Sequence, residues 1–172
     1  MELIMSQNTT GLRHPLVARL SDRIRHPTSL DEPYVIQDRV PQTRSRHVVV
    51  IWDAFDELDR AQRGRIITDA FEGAGIQDAL RVAMGLTQQE AQNMGYLPYQ
   101  IVANWRKADG SQVRRAINHA IDETPGVHVR TGSSVQLRYP TLDYAQEAYR
   151  HLSAAVPGPY WAIVKEEGAI ES

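Results

Sequence analysis

The chain has no cysteine among its 172 residues, which excludes disulfides, thiolate metal sites, cysteine-ligated iron–sulfur clusters and a thiol nucleophile together. Long apolar runs are also missing. None approaches the roughly 20 residues a membrane helix needs, and Met1–Gly11 has neither a basic start nor an apolar middle. These absences predict a soluble, cytoplasmic protein without a membrane partner. There is no surplus of one charge either. The formal net charge is -2, residues 99–172 carry eight basic and eight acidic groups, and residues 1–98 carry eleven and thirteen. Dedicated duplex binders are strongly basic, so nucleic acid would have to use a local patch. Catalytic signatures are lacking as well: no GxSxG, HExxH, GxGxxG, P-loop or DxD-type pair occurs. No catalytic residue, metal ligand or cofactor is therefore assigned.

What is present is enough apolar sequence, 42%, to build one ordinary core or two small ones. Leu12, Leu16, Val17, Leu20 and Ile24 recur at helical spacing, with Pro15 in the first turn, Pro27 beyond the end and an arginine-rich outer face. Tyr34–Ile36 predicts a short strand, and Arg46–Trp52 a stronger one whose continuous apolarity requires cover on both faces. Asp59 with Gln62, and Thr87 with Glu90, have the spacing of capping boxes. They open helices on either side of a strand at Leu80–Met84, the first helix ending at Gly73 and Gly75. A new pattern starts at Tyr99: a strand through Trp105, a helix over Val113–Ile121, strands Val127–Thr131 and Val135–Tyr139 about a Gly132-Ser133 turn, a helix capped by Thr141, and a last strand Tyr160–Lys165.

The chain thus reads as α+β in two units divided near Gly95–Pro98. A polar lead (1–11) precedes a helix–strand–strand–helix–strand–helix unit (12–97); a βαββαβ unit (98–168) and a short tail (169–172) follow. Two crossovers woven in the βαββαβ order predict a ferredoxin-like sandwich, an antiparallel four-stranded sheet with both helices on one face. Each unit is small enough to need packing against the other or dimerisation.

Three stretches of the first unit resemble a known family: His47–Phe55, Gln62-Arg63-Gly64-Arg65-Ile66-Ile67, and Asp78-Ala79-Leu80 followed by Leu86–Glu90. Together they resemble the BolA family, whose members have an αββααβ, type II KH-like fold. That resemblance implies the fold for roughly Leu12 to Met94. Family members assist iron–sulfur trafficking with monothiol glutaredoxins and lend a histidine near the third strand. This chain has Asp78 there, a hard oxygen donor unsuited to that role, and Gly64 between its two arginines. A shared cluster and a glutaredoxin partner are accordingly not implied. Gly73-Ala74-Gly75 is not the GXXG clamp of a KH unit either.

Candidate binding residues come from two places. Arg63 and Arg65 begin a helix after the acidic turn Asp53, Asp56, Glu57 and Asp59. Pleating of the second sheet sends Gln100, Asn104, His128, Arg130, Gln136 and Arg138 to the face away from the helices. Arginine and amide groups suit phosphate or carboxylate partners, but the central positions where an RRM stacks bases hold no aromatics. The leading expectation is a non-enzymatic adaptor or regulatory module acting through a protein partner or a homodimer. The alternatives are weak single-stranded RNA binding, and metal-dependent phosphoryl transfer at Asp53 and Asp56. Trp105, Tyr160 and Trp161 are expected to pack in a core or between the units.

Overall fold

A computed structural model describes residues 14–27, 29–76, 78–132 and 134–166. Leu12, the polar lead, Ser133 and the tail lie outside them. The first helix, α1 (Leu16–Arg25), follows Pro15 directly, and its apolar stripe Val17, Leu20 and Ile24 is buried. Strands β1 (Tyr34–Arg39) and β2 (Ser45–Ile51) pair antiparallel; a 3-10 turn (Asp53–Phe55) leads to α2 (Arg60–Gly73). Asp59 accepts from the Gln62 amide while the Gln62 side chain accepts from the Asp59 N–H, so the reciprocal box forms. The crossover returns β3 (Ala79–Leu86) parallel to β2, giving the order β1-β2-β3. A second capping box, Thr87 with Glu90, opens α3 (Gln88–Asn93).

The second sheet contains β4 (Tyr99–Ala103), β5 (Val127–Thr131), β6 (Ser134–Tyr139) and β7 (Trp161–Lys165) in the order β5-β6-β4-β7, antiparallel throughout. Helices α4 (Ser111–Glu123) and α5 (Leu142–Ala155) supply the crossovers. β4 is shorter than its alternation predicts. It ends at Ala103, where the Asn104 amide turns to the Tyr160 carbonyl, leaving Trp105 36% exposed in a turn rather than packed in a core. Trp161 is buried and its indole N–H reaches the Val156 carbonyl. In α5, Tyr144, Ala145, Ala148 and Leu152 are buried while Leu142 and Tyr149 are exposed.

Alternation along β2 explains how the layers stack. Val48, Val50 and Trp52, with Val35 of β1, face α1 and α2. Val49 and Ile51, with Tyr34 of β1 and Leu86 of β3, point the other way, into a nucleus shared with Ile117 of α4 and Tyr144, Ala145, Ala148 and Leu152 of α5. The strand is covered on both faces, as its composition requires, but the second cover comes from the other half of the chain. The layers run helices, sheet, helices, sheet. Tyr34 and Tyr144 meet edge to face at 5.2 Å, and the Tyr144 hydroxyl accepts the Val35 N–H at 3.1 Å. Ser21 joins the outer helices by donating to the Ala70 carbonyl. No described helix is long and apolar enough to cross a membrane.

Candidate functional site

β3 is an edge strand, and the alternation of its backbone decides what it offers. The Leu86 carbonyl accepts from the Trp52 N–H on the β2 side, so Leu86, Met84 and Val82 direct their backbone groups to β2 while Gly85 and Ala83 direct theirs to the edge; a register shift between Leu80 and Val82 leaves Arg81 as a bulge. Gly85 has no side chain because none fits: a Cβ there would stand 2.8 Å from the Arg63 Cβ and 2.8 Å from the Phe55 ring. This close approach lays the Arg63 side chain, 8% exposed, along the strand. Its Nε donates to the carbonyls of Phe55 (3.0 Å) and Leu58 (2.9 Å), and its Nη1 donates to the Gly85 carbonyl (3.2 Å) and Glu90 Oε2 (2.6 Å). Among the described residues Nη2 has no hydrogen-bond partner. Glu90 also receives the Thr87 N–H, and these donors hold its carboxyl below the ordinary value, the Arg63 hydrogen bond foremost. A cavity of about 620 Å³ opens beside this lock, with Leu58, Met84 and Met94 as apolar wall and Arg60, Arg63 and Glu90 as polar wall.

The residues singled out from sequence do not converge on one surface. Of the two candidate binding arginines of α2, Arg63 is buried and engaged, and Arg65, two positions along, is exposed. Arg138 is also committed: its guanidinium grips Glu166 through Nη1 (2.6 Å) and Nη2 (3.3 Å), and that pairing lowers the Glu166 pKa. Gln100 stands directly opposite Arg138, and Gln100 Oε1 and Arg138 Nε are buried without a partner among the described residues. Asn104 lies beyond the end of β4. The β5–β6 register sets His128 opposite Leu137 and Arg130 opposite Val135, while Arg138 stands opposite Val127. By burial, Val127 and Val129 join Leu137 and Tyr139 in one core, while His128 and Arg130 are exposed and Gln136 and Arg138 half-buried. The same register puts Gly126 against the Tyr139 ring, where a Cβ would come within 2.5 Å of its hydroxyl. The His128 ring meets the Thr124 carbonyl just past α4 at 3.1 Å.

Two of the four acidic-turn residues make structural contacts. Asp59 caps α2, and Asp53 Oδ1 accepts from the Gln88 N–H (2.8 Å), fastening the 3-10 turn to α3. Glu32, for which the sequence carried no signal, receives the Asp53 N–H (3.3 Å) and the Gln88 side-chain amide. Burial, with the Asp53 carboxylate adding to it, raises the Glu32 pKa. Asp78 is 2.7 Å from Arg46 Nε and 3.8 Å from Arg39. Among the described residues no three histidine, aspartate or glutamate side chains gather as a metal would require. A second groove, about 440 Å³, lies between the β1 edge and α5, where Val35 and Gln37 face Tyr144 and the Glu147–Arg150 pair. No family model matches this chain, and neither does any curated protein or solved structure.

Proposed function

We propose that the chain is a non-enzymatic binding module that acts through protein contacts, built from a BolA-like, KH-like first unit and a ferredoxin-like second unit. The mixed order β1-β2-β3, with one parallel pair, supports the first assignment, and the order β5-β6-β4-β7 with α4 and α5 against one face supports the second. The function rests on one observation. The ionic groups best suited to chemistry, Arg63 with Glu90, Asp53, Asp78 with Arg46, and Arg138 with Glu166, are tied to backbone or to each other, while a cavity with an apolar wall of Leu58, Met84 and Met94 is left open at the end of the sheet beside α2. An apolar pocket of this kind at the surface accepts a partner's side chains.

Pull-down with the tagged chain, beside a Met94→Glu variant, tests the reading. Met94 is 54% exposed, so the substitution leaves the fold intact. A protein retained by the natural sequence and lost by the variant supports a module of this kind. Robust hydrolase or transferase turnover by the purified chain argues against it. So does retention by single-stranded RNA that falls steeply with salt and falls further in the Arg130→Ala, Arg138→Ala double variant.

A further inference from the structure

We propose that the turn Trp105–Lys107, with the start of α4, is a docking surface for an acidic protein segment that carries an aromatic or large aliphatic side chain; this rests on the binding-module reading above and adds a second contact surface with its ligand class. Three observations carry it. First, the fold leaves Trp105 unused. Trp52 is buried and meets the Phe55 ring and the Arg19 guanidinium; Trp161 is buried and donates its indole N–H to the Val156 carbonyl. Trp105 is 36% exposed and belongs to neither hydrophobic nucleus, and among the described residues its ring has no aromatic or cationic partner. A tryptophan held this way offers a partner a large apolar face.

Second, the charge around it is of one sign. Residues 99–121 carry Arg106, Lys107, Arg114 and Arg115 against Asp109 alone, and residues 153–165, whose Tyr160 carbonyl takes the Asn104 N–H beside the turn, carry no acid. The Lys107 N–H bonds to the Asn104 carbonyl (3.1 Å) and the Ala108 N–H to the Trp105 carbonyl (3.3 Å), while Arg114 Nε donates to the Ala108 carbonyl (3.4 Å) and so brings α4 against the turn. Among the described residues none of the four cations has a carboxylate partner. The first turn of α4 holds no acidic side chain, so the helix dipole adds to this charge instead of offsetting it.

Third, the extent of the charge selects a carboxylate segment over a nucleic-acid strand. Asp122 and Glu123 close the far end of α4, and residues 99–172 balance eight basic groups with eight acidic ones. A phosphate chain calls for a continuous basic track with successive aromatics. Two or three carboxylates taken by guanidinium groups, with one apolar side chain on the indole face, match the patch. None of these residues lines either cavity, so this surface and the one beside α2 are tested separately.

The test uses the full chain. Iodide should quench the exposed part of the tryptophan emission several-fold more strongly than caesium, because the cations concentrate anions at Trp105, and Trp105→Phe should remove that part; equal quenching by the two ions would overturn the proposal. A phage-displayed library of random twelve-residue peptides is expected to enrich acidic sequences with an aromatic or large aliphatic residue. Synthetic versions should bind at least tenfold more weakly to Trp105→Ala, and also to the Arg114→Glu, Arg115→Glu double variant, by fluorescence anisotropy. All three positions are exposed, and a thermal melt checks that each variant folds. Acidic peptides that bind both variants as well as the natural chain, or a selection that enriches none, would overturn this surface. The binding-module reading then stands if pull-downs retain a protein that Met94→Glu loses, and falls as well if they retain none. A twelve-nucleotide single-stranded RNA that binds more tightly than any peptide, and is lost in the same variants, would overturn both.

Discussion

Arg63 concentrates the energetics of the first unit. Four acceptors, three of them main-chain carbonyls, converge on one guanidinium that is 8% exposed. Replacing it by alanine removes the donor from the Leu58 and Gly85 carbonyls and the cation from Glu90, and should cost about 3 kcal/mol, read as a lower urea midpoint with unchanged slope. Arg63→Lys should recover less than half, because a compact ammonium cannot reach carbonyls on both sides of a planar fork. Glu32 makes the opposite kind of contribution. Its folded pKa lies above the ordinary 4.5, so the protein binds this proton more tightly folded than unfolded. The associated stability is complete below pH 4.5 and is lost as pH rises through the folded value. Thermal melts over this window should show the loss in the natural chain and a flatter profile in Glu32→Gln. Glu90 and Glu166, held low by Arg63 and Arg138, contribute stability above pH 4.5 that is lost as pH falls through their folded values. Sequence could single out Arg63 as notable but not as buried, because burial depends on Gly85, twenty-two positions away, offering space instead of a side chain.

At the scale of elements, local chemistry was legible wherever it is carried by neighbours in sequence. Both capping boxes form between the residues that their spacing named, and α2 ends at Gly73, followed by Gly75 with φ of +74°. Strand ends were less legible. Tyr99 to Trp105 alternates without interruption, yet the ladder stops at Ala103 because β7, the strand it pairs with there, begins at Trp161. Alternation tells which residues of one strand share a side, but the relative phase of β5 and β6 comes from their hairpin register. Close approach gives a prediction here. A methyl group at Gly85 would stand 2.8 Å from both the Arg63 stem and the Phe55 ring, so Gly85→Ala should destabilise by about 1–3 kcal/mol and open the β3 edge to faster hydrogen exchange. Gly64, whose added Cβ would meet only the Ala83 carbonyl at 3.7 Å, should accept alanine with a gain of up to about 1 kcal/mol, since it lies inside a helix.

For the whole molecule, the shared nucleus is decisive. Tyr34, Ile51 and Leu86 from the first sheet and Ile117, Tyr144 and Ala148 from the second pair of helices are buried together. Scanning calorimetry of the intact chain should therefore give one transition, with calorimetric and van't Hoff enthalpies equal. A fragment ending before Tyr99 should bind an apolar dye, because it exposes the Tyr34–Ile51 face. Tyr144→Phe leaves the Val35 N–H without its acceptor and should lower stability by about 1–2 kcal/mol, with faster exchange at that amide. The amino-acid order by itself determined the α+β class, the succession of helices and strands, the caps and the need for cover on both faces of β2, since each depends on periodicity and on groups a few residues apart. Only the tertiary structure decided what supplies that cover, which arginines are locked inside and how β5 is phased against β6. Those outcomes depend on contacts between residues tens of positions apart, and the free energy of such contacts is set by packing in three dimensions rather than by any local pattern.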